Sequence, residues 1–261
     1  MKIAGFQMDT VWEKQEENFS KVKNAAEAAA KEGALVLALP EMFSTGFTMD
    51  SEKFAEEKET SKTLKFLKET ACENNLWIIG SLIDKTDAGN MNSAYTITPK
   101  GEIIGHYSKI HLFPLSGEDK HYAKGRDIEI SNIEGIPLAV TICYDLRFPE
   151  LYRKIMGKGA MTAFVVANWP KTRREHWLAL LRARAIENQM YVIGINRVGE
   201  GGGQAYSGDS IVFGPAGEEI AKAKSGEGLF FFEIEEKKVR EDRKHYPFLK
   251  DIQKDMFSCI S

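Results

Sequence analysis

The chain has 261 residues, of which 43% are apolar and 28% are charged, as in ordinary soluble globular proteins. Its net charge of −3 argues against a nucleic-acid-binding surface, which would be basic. No apolar run approaches the roughly 18 residues of a membrane span, and the first residues turn polar too soon for a secretory signal. Cys72, Cys143 and Cys259 are odd in number and far apart, so we expect no disulfide framework and a cytoplasmic location.

In the first half of the chain, predicted helices alternate with predicted strands. Residues 16–31 place apolar side chains on one helical face, and Gly33 is a suitable stop. The short, wholly apolar run 35–39 indicates a strand buried on both faces. Short polar turns after residue 82 favour antiparallel neighbours. The elements predicted here are strand 2–8, helix 16–31, strand 35–39, helix 61–75, and strands 77–82, 93–98 and 103–108.

The second half repeats the alternation without a break in composition. We therefore predict one domain, 1–261, in which two sheets stack on each other with helices outside. Residues 199–203 are interpreted as a flexible loop, and the apolar tail 246–261 is expected to dock on its own domain or on a partner. The elements predicted here are strands 127–133 and 136–142, a helix from Pro149, strand 161–167, helix 174–189, strands 191–196, 211–213, 219–223 and 229–234, and a charged helix 235–245.

Cys143 ends the predicted strand 136–142, just before the helix that Pro149 can begin. That setting can lower the pKa of a thiol and direct backbone N–H groups at a developing oxyanion. A buried, inert cysteine is an equally good interpretation of this stretch alone.

Two further reactive side chains follow predicted strands. Glu41 comes directly after strand 35–39, and Lys109 follows strand 103–108 at the start of the long loop 109–126. Alone, each could be an ordinary solvated side chain. The carboxyl ends of strands in open α/β sheets are where ligands bind, so we expect both residues to meet Cys143. A thiol nucleophile, a carboxylate base and a cation suit acyl transfer. We expect no metal, because an isolated acidic–histidine pair in the long loop is the only hint of one.

Three segments resemble the signature motifs of the nitrilase, or carbon–nitrogen hydrolase, superfamily. They are Pro40-Glu41-Met42-Phe43, Lys109-Ile110-His111-Leu112-Phe113 and Cys143-Tyr144-Asp145-Leu146-Arg147-Phe148-Pro149-Glu150. The resemblance covers essentially the whole chain, and three motifs in this order are highly specific. It implies an α+β fold, a four-layer αββα sandwich of two mixed sheets, with no cofactor.

The same resemblance implies a role for each site residue. Cys143 would be the nucleophile and Glu41 the general base. Lys109 and the backbone N–H of Tyr144 would stabilise the tetrahedral intermediate, and Glu118 best matches the second glutamate of the family.

The later segments resemble the ω-amidase branch, which releases ammonia from 2-oxoglutaramate and 2-oxosuccinamate. They are Asn168-Trp169-Pro170, His176-Trp177 and Arg182-Ala183-Arg184-Ala185-Ile186-Glu187-Asn188-Gln189. Tyr144-Asp145 departs from the Cys-Trp-Glu motif of nitrilases, which argues against nitriles. The alternatives are another small aliphatic amidase or N-carbamoyl hydrolase, or a non-catalytic family member.

Such a substrate carries a free carboxylate, which arginine can bind through two parallel hydrogen bonds. Arg173 and Arg174 are the candidates, with Phe47 and Trp169 as possible pocket walls. Arg147 is interpreted instead as a structural ion pair with Glu150. The partners are then a small amide and water, and the family implies a homodimer through the Pro149 helix and helix 174–189.

Overall fold

The computed structural model describes residues 1–253. Most of its strands belong to two mixed sheets, and one separate hairpin lies outside them. The strands are β1 Lys2–Gln7, β2 Val36–Ala38, β3 Glu56–Glu57, β4 Trp77–Thr86, β5 Gly89–Ile97, β6 Ile103–Ser108, β7 Ser131–Ile133, β8 Ile136–Ile142, β9 Thr162–Ala167, β10 Tyr191–Asn196, β11 Val198–Gly201, β12 Gln204–Ser207, β13 Ile211–Phe213, β14 Glu219–Lys222 and β15 Gly228–Glu233.

The first sheet has the order β15-β1-β2-β4-β5-β6, with β3 paired to β4, and the second has the order β14-β13-β10-β9-β8-β7. Strands β1, β2 and β4 run parallel, as do β8, β9 and β10, and β3 is parallel to β4. The remaining neighbours are antiparallel. The helices are α1 Gln15–Lys31, α2 Ser51–Phe54, α3 Lys62–Asn74, α4 Glu118–His121, α5 Pro149–Gly157, α6 Arg174–Asn188 and α7 Glu236–His245.

The two sheets pack face to face around a shared apolar core. Ile79 and Tyr107 of the first sheet lie in this core with Val140, Phe164 and Ile193 of the second. The opposite face of the first sheet packs on α1 and α3, and that of the second packs on α5 and α6. These four layers confirm the predicted αββα sandwich.

Local sequence explains the helix boundaries that place the site. The Ser61 hydroxyl accepts a hydrogen bond from the Leu64 N–H at 3.0 Å, and Asn75 ends α3 in a left-handed conformation. Helix α5 begins at Pro149, as predicted, since proline tolerates the first turn.

Several sequence-based predictions differ from the structure. Predicted strand 127–133 narrows to β7, and the two four-residue helices α2 and α4 were not predicted. The glycine-rich loop is not irregular, because β11 and β12 pair across Gly202 and Gly203. Both glycines have positive φ, which a tight two-residue hairpin turn requires.

The predicted docking tail lies partly outside the described residues. Its first part forms a short turn at Phe248–Asp251, and the Gln189 side chain donates to the Tyr246 carbonyl at 2.8 Å. Within residues 1–253, no helix is long and apolar enough to cross a membrane.

Candidate active site

Cys143 occupies a strained corner at the carboxyl end of β8. Its φ of +48° lies in the left-handed region, which cysteine rarely adopts. The chain then makes a single tight turn, Cys143–Arg147, before α5 begins. The buried Arg184 holds this turn, because its Nε and Nη2 donate to the Leu146 carbonyl at 3.1 and 2.9 Å. The corner thus presents the thiol at the end of the sheet.

A second brace for this turn is the fully buried carboxylate of Asp145. Its Oδ2 accepts from the Tyr107 hydroxyl at 2.7 Å and from the Ile142 N–H at 3.0 Å. Its Oδ1 accepts from the His111 N–H at 3.0 Å and lies 2.8 Å from His111 Nδ1. Asp145 therefore ties the Cys143–Arg147 turn to the segment that carries Lys109.

Glu41 is fully buried just after β2, and its carboxylate is fixed by donors from three directions. Its Oε1 accepts from Lys109 Nζ at 2.9 Å and from Asn92 Nδ2 at 2.7 Å. Its Oε2 accepts from the backbone N–H of Asn168 at 2.8 Å. The Asn168 side chain also donates to the Glu41 carbonyl at 2.6 Å, so both ends of Glu41 are held. These hydrogen bonds hold the Glu41 carboxylate in a single orientation relative to the Cys143 thiol.

Lys109 lies between the two buried carboxylates. Its Nζ donates to both oxygens of Glu118, each at 2.9 Å, as well as to Glu41. Burial alone would lower the pKa of Lys109, but the charges of Glu118 and Glu41 outweigh it and raise the pKa. The ammonium therefore keeps its charge. Burial raises the pKa of Glu118, whose Oε2 also accepts from the Phe113 N–H at 2.6 Å.

Burial and the neighbouring charge of Glu41 raise the pKa of the Cys143 thiol, and Lys109 offsets this only in part. The expectation that a helix N-terminus would lower this pKa is therefore wrong, because desolvation and the carboxylate dominate. The resting thiol is neutral, and it needs a base to take its proton. Glu41 is the neighbouring carboxylate whose charge acts on the thiol, so it is the candidate for that base.

Beside Cys143 opens a cavity of about 440 Å³ with six aromatic side chains in its walls. Its size suits a small organic molecule. The lining residues are Trp12, Phe47, Met49, Phe113, Leu115, Ser116, Cys143, Tyr144, Arg147, Asn168, Trp169, Pro170, Arg173, Gly202, Gln204 and Tyr206.

Three of the four tentative substrate-binding residues line this cavity, namely Phe47, Trp169 and Arg173. The Phe47 ring lies 4.9 Å from Lys109 Nζ. Arg174 lies elsewhere, because its Nε and Nη2 donate to the carboxylate of Asp209 at 2.8 and 2.9 Å.

The interpretation of Arg147 as an ion-pair partner of Glu150 is wrong. Its guanidinium lines the cavity and lies over the Trp169 ring, 4.8 Å from the centroid. Its polar contact is with His176 Nδ1 at 3.3 Å. The sequence is consistent with either orientation, because the turn before α5 decides where this side chain points.

Sequence reasoning also missed the amide side chain of Asn92, which lies on β5. A buried asparagine in a strand must find partners, and this was the available signal. Trp12 and Tyr206 were not predicted as cavity residues, because each lies in a segment distant in sequence from Cys143. In the part of the chain that is described, no cluster of three metal-ligating side chains occurs.

The chain was compared with known proteins. The family model for carbon–nitrogen hydrolases matches residues 2–244. The chain is 34% identical to the 2-oxoglutaramate amidase of Bacillus subtilis (strain 168) over 256 residues, which cover 98% of each chain. It is 36% identical to the omega-amidase YafV of Escherichia coli (strain K12), with 96% of each chain covered.

A solved structure gives the same result at the level of the fold. It is a CN-hydrolase superfamily protein from Xanthomonas campestris with an arsenic adduct in its active site. It is 30% identical to this chain, with a TM-score of 0.92 and 97% of both chains covered. The expected family is confirmed, and the chain belongs to the carbon–nitrogen hydrolases.

Proposed function

We propose that this enzyme is a cysteine-dependent ω-amidase acting on monoamides of small dicarboxylic acids, such as 2-oxoglutaramate and 2-oxosuccinamate. One observation carries the proposal: the Glu41–Lys109–Cys143 cluster opens onto a cavity lined by two guanidiniums, those of Arg147 and Arg173. The cluster suits acyl transfer, and the guanidiniums suit a substrate that carries a carboxylate at its far end.

Acylation begins with the neutral thiol. Glu41 takes the proton from Cys143 as sulfur attacks the amide carbon, and the carbonyl oxygen becomes an oxyanion. Lys109 and the backbone N–H of Tyr144 stabilise that charge. Glu41 then gives the proton to the amide nitrogen, the C–N bond breaks, and ammonia leaves. The acyl group remains on Cys143 as a thioester.

Deacylation uses the same groups with water as the nucleophile. Glu41 takes a proton from a water molecule as the water oxygen attacks the thioester carbon. The C–S bond then breaks and releases the acid. The proton returns to the sulfur and restores the neutral thiol. Glu118 acts through Lys109, whose ammonium it holds by two hydrogen bonds and keeps charged.

The pair of arginines supports an anionic substrate. Among residues 1–253, neither Arg147 nor Arg173 forms a salt bridge with a carboxylate, although other arginines of the chain do. Burial and the charge of Arg173 lower the pKa of Arg147. A substrate carboxylate between the two guanidiniums would relieve this repulsion. The amidase names of the two relatives agree with this choice.

An ammonia-release panel tests the proposal. It compares 2-oxosuccinamate, succinamate, propionamide, an N-carbamoyl amino acid and a nitrile at equal concentrations. We expect kcat/KM for the monoamides that carry a carboxylate to exceed that for propionamide by at least about 100-fold. Propionamide has no carboxylate and cannot form ion pairs with the two arginines. A preference for propionamide or for the N-carbamoyl compound would assign the enzyme to another branch of the family.

We propose a homodimer that pairs through α5 and α6. Ile186 on α6 supports this, because half of its apolar side chain is exposed. A mass of one chain by light scattering at micromolar concentration would contradict it.

We also propose a cytoplasmic location, which the lack of a disulfide framework in the sequence supports. Recovery of the enzyme in the membrane or secreted fraction of its host would contradict it.

A further inference from the structure

We propose that Tyr206, held in place by the buried Arg197, makes the enzyme select 2-oxo ω-amides over the corresponding α-amino acids, asparagine and glutamine. This inference rests on the proposed function and adds to it the group that recognises the α-position of the substrate.

Arg197 is a buried cation whose guanidinium donates to backbone carbonyl oxygens and forms a long salt bridge with Asp9. Its side chain is fully buried, and its Nη2 donates to the carbonyl oxygens of Thr10 at 2.8 Å and Glu200 at 2.9 Å. The nearest carboxylate, that of Asp9, is 3.6 Å away and half exposed. Within residues 1–253, its buried Nη1 has no hydrogen-bond partner. Burying a guanidinium in this way costs free energy, so we expect Arg197 to have a functional role that offsets this cost.

The side chain that Arg197 supports is Tyr206. The guanidinium carbon lies 4.5 Å from the centre of the Tyr206 ring, a cation–π contact across the base of the β11–β12 hairpin. Tyr206 also lines the cavity that Cys143 lines, whereas Arg197 does not. Arg197 therefore fixes a phenol on the cavity wall without entering the cavity itself.

The position and protonation state of the Tyr206 phenol allow it to donate a hydrogen bond to an acceptor atom of the substrate. Burial raises the pKa of Tyr206 to about 12, so the hydroxyl keeps its proton at neutral pH. Tyr206 lines the same cavity as Cys143 and Arg173, the residues proposed to meet the amide and the carboxylate of a bound substrate. In a 2-oxo ω-amide, the ketone oxygen lies next to the carboxylate and can accept the hydrogen bond of the phenol.

The charges around the cavity oppose an α-ammonium group. Arg147 and Arg173 line the cavity, Arg197 lies behind Tyr206, and the lining contains no aspartate or glutamate. Asparagine and glutamine carry a positively charged ammonium group at the α-carbon, where the 2-oxo substrate carries a neutral ketone. Electrostatic repulsion from three guanidiniums therefore acts with the phenol to exclude asparagine and glutamine.

The test uses Tyr206→Phe with 2-oxosuccinamate, succinamate and asparagine, which differ only at the α-carbon. We expect kcat/KM for 2-oxosuccinamate to fall about tenfold, because a hydrogen bond to the substrate is lost. Succinamate, which has no oxo group, should change less than about twofold. Tyr95→Phe is the matched control, since Tyr95 donates to Asp84 away from the cavity, and it should leave the ratio of the two rates unchanged.

The outcomes separate this inference from the function on which it rests. If Tyr206→Phe slows both monoamides equally, or neither, Tyr206 is not a specificity determinant. If the wild-type enzyme hydrolyses neither monoamide, the proposed function fails and the inference fails with it.

A second variant, Arg197→Gln, tests the positioning role. In protein that circular dichroism shows to be folded, the preference for 2-oxosuccinamate over asparagine should fall about tenfold. An unchanged preference in folded protein would overturn the role of Arg197. If this variant does not fold, Tyr206→Phe still decides the inference.

Discussion

Asp145→Asn should separate the Cys143–Arg147 turn from the segment that carries Lys109. Each oxygen of this buried carboxylate accepts two hydrogen bonds, Oδ1 from His111 and Oδ2 from Tyr107 and Ile142. An asparagine keeps one oxygen and puts an NH₂ group where the other was. Whichever way the amide turns, two of the four contacts lose their carboxylate acceptor, and one backbone N–H, that of Ile142 or His111, faces the NH₂ group.

The size of the effect follows from those two contacts. Hydrogen bonds to a charged group contribute about 1.5–3 kcal/mol each, so the free energy of unfolding should fall by about 3–6 kcal/mol. That is a large part of the roughly 5–15 kcal/mol by which a domain is stable, so activity is measured on protein that circular dichroism shows to be folded. In that folded protein, we expect kcat to drop about 10–100-fold, because the Cys143 corner shifts relative to Glu41 and Lys109.

Urea unfolding and steady-state ammonia release measure the two effects, with Asp84→Asn as the control. Asp84 is also a buried aspartate, but Tyr95 and His106 both contact its Oδ2, and within residues 1–253 its Oδ1 has no partner. An asparagine there can keep both contacts, so stability should fall less and kcat should stay within about twofold. Unchanged kcat in folded Asp145→Asn would refute the positioning role.

The other predictions concern the two adjacent arginines, Arg173 and Arg174, and the protonation state of the Cys143 thiol. Arg173→Ala should raise KM for 2-oxosuccinamate about tenfold or more. The adjacent Arg174→Ala, which breaks the pairs with Asp209 and Glu175 away from the cavity, should change it less than about twofold; equal effects would contradict the assignment. Because burial and Glu41 raise the pKa of Cys143, the thiol should keep its proton above about 8.5, where an ordinary thiol loses it. The difference in thiolate absorbance between wild type and Cys143→Ala, recorded against pH, measures this, and a midpoint below about 8.5 would contradict it.

Much of the fold follows from local patterns in the sequence. Strands β6, β8 and β10 and the start of α5 lie where periodicity and Pro149 predict them, because burial and chain breakers act over short distances. The β11–β12 hairpin was missed, since glycines favour a turn and a loop equally. Its pairing depends on Gly202 and Gly203 adopting positive φ.

Part of the site was predicted because its residues share one edge of the sheets. Glu41 and Lys109 follow β2 and β6, and the structure joins them by a hydrogen bond. The pKa of Cys143 was not predictable, because it depends on the balance between desolvation and two nearby charges. The direction of Arg147 depends on the turn that precedes α5, and its stacking on Trp169 exists only after the chain has folded.

The covalent intermediate tests the central claim most directly. The enzyme is mixed with 2-oxosuccinamate, quenched in acid within one turnover, and digested for mass spectrometry. We expect a thioester of the substrate's acyl group on the peptide that contains Cys143, none on the peptide of the exposed Cys72, and none in Cys143→Ala, which should also release no ammonia. Ammonia release by folded Cys143→Ala at the wild-type rate, or an acyl group on another residue, would contradict the mechanism.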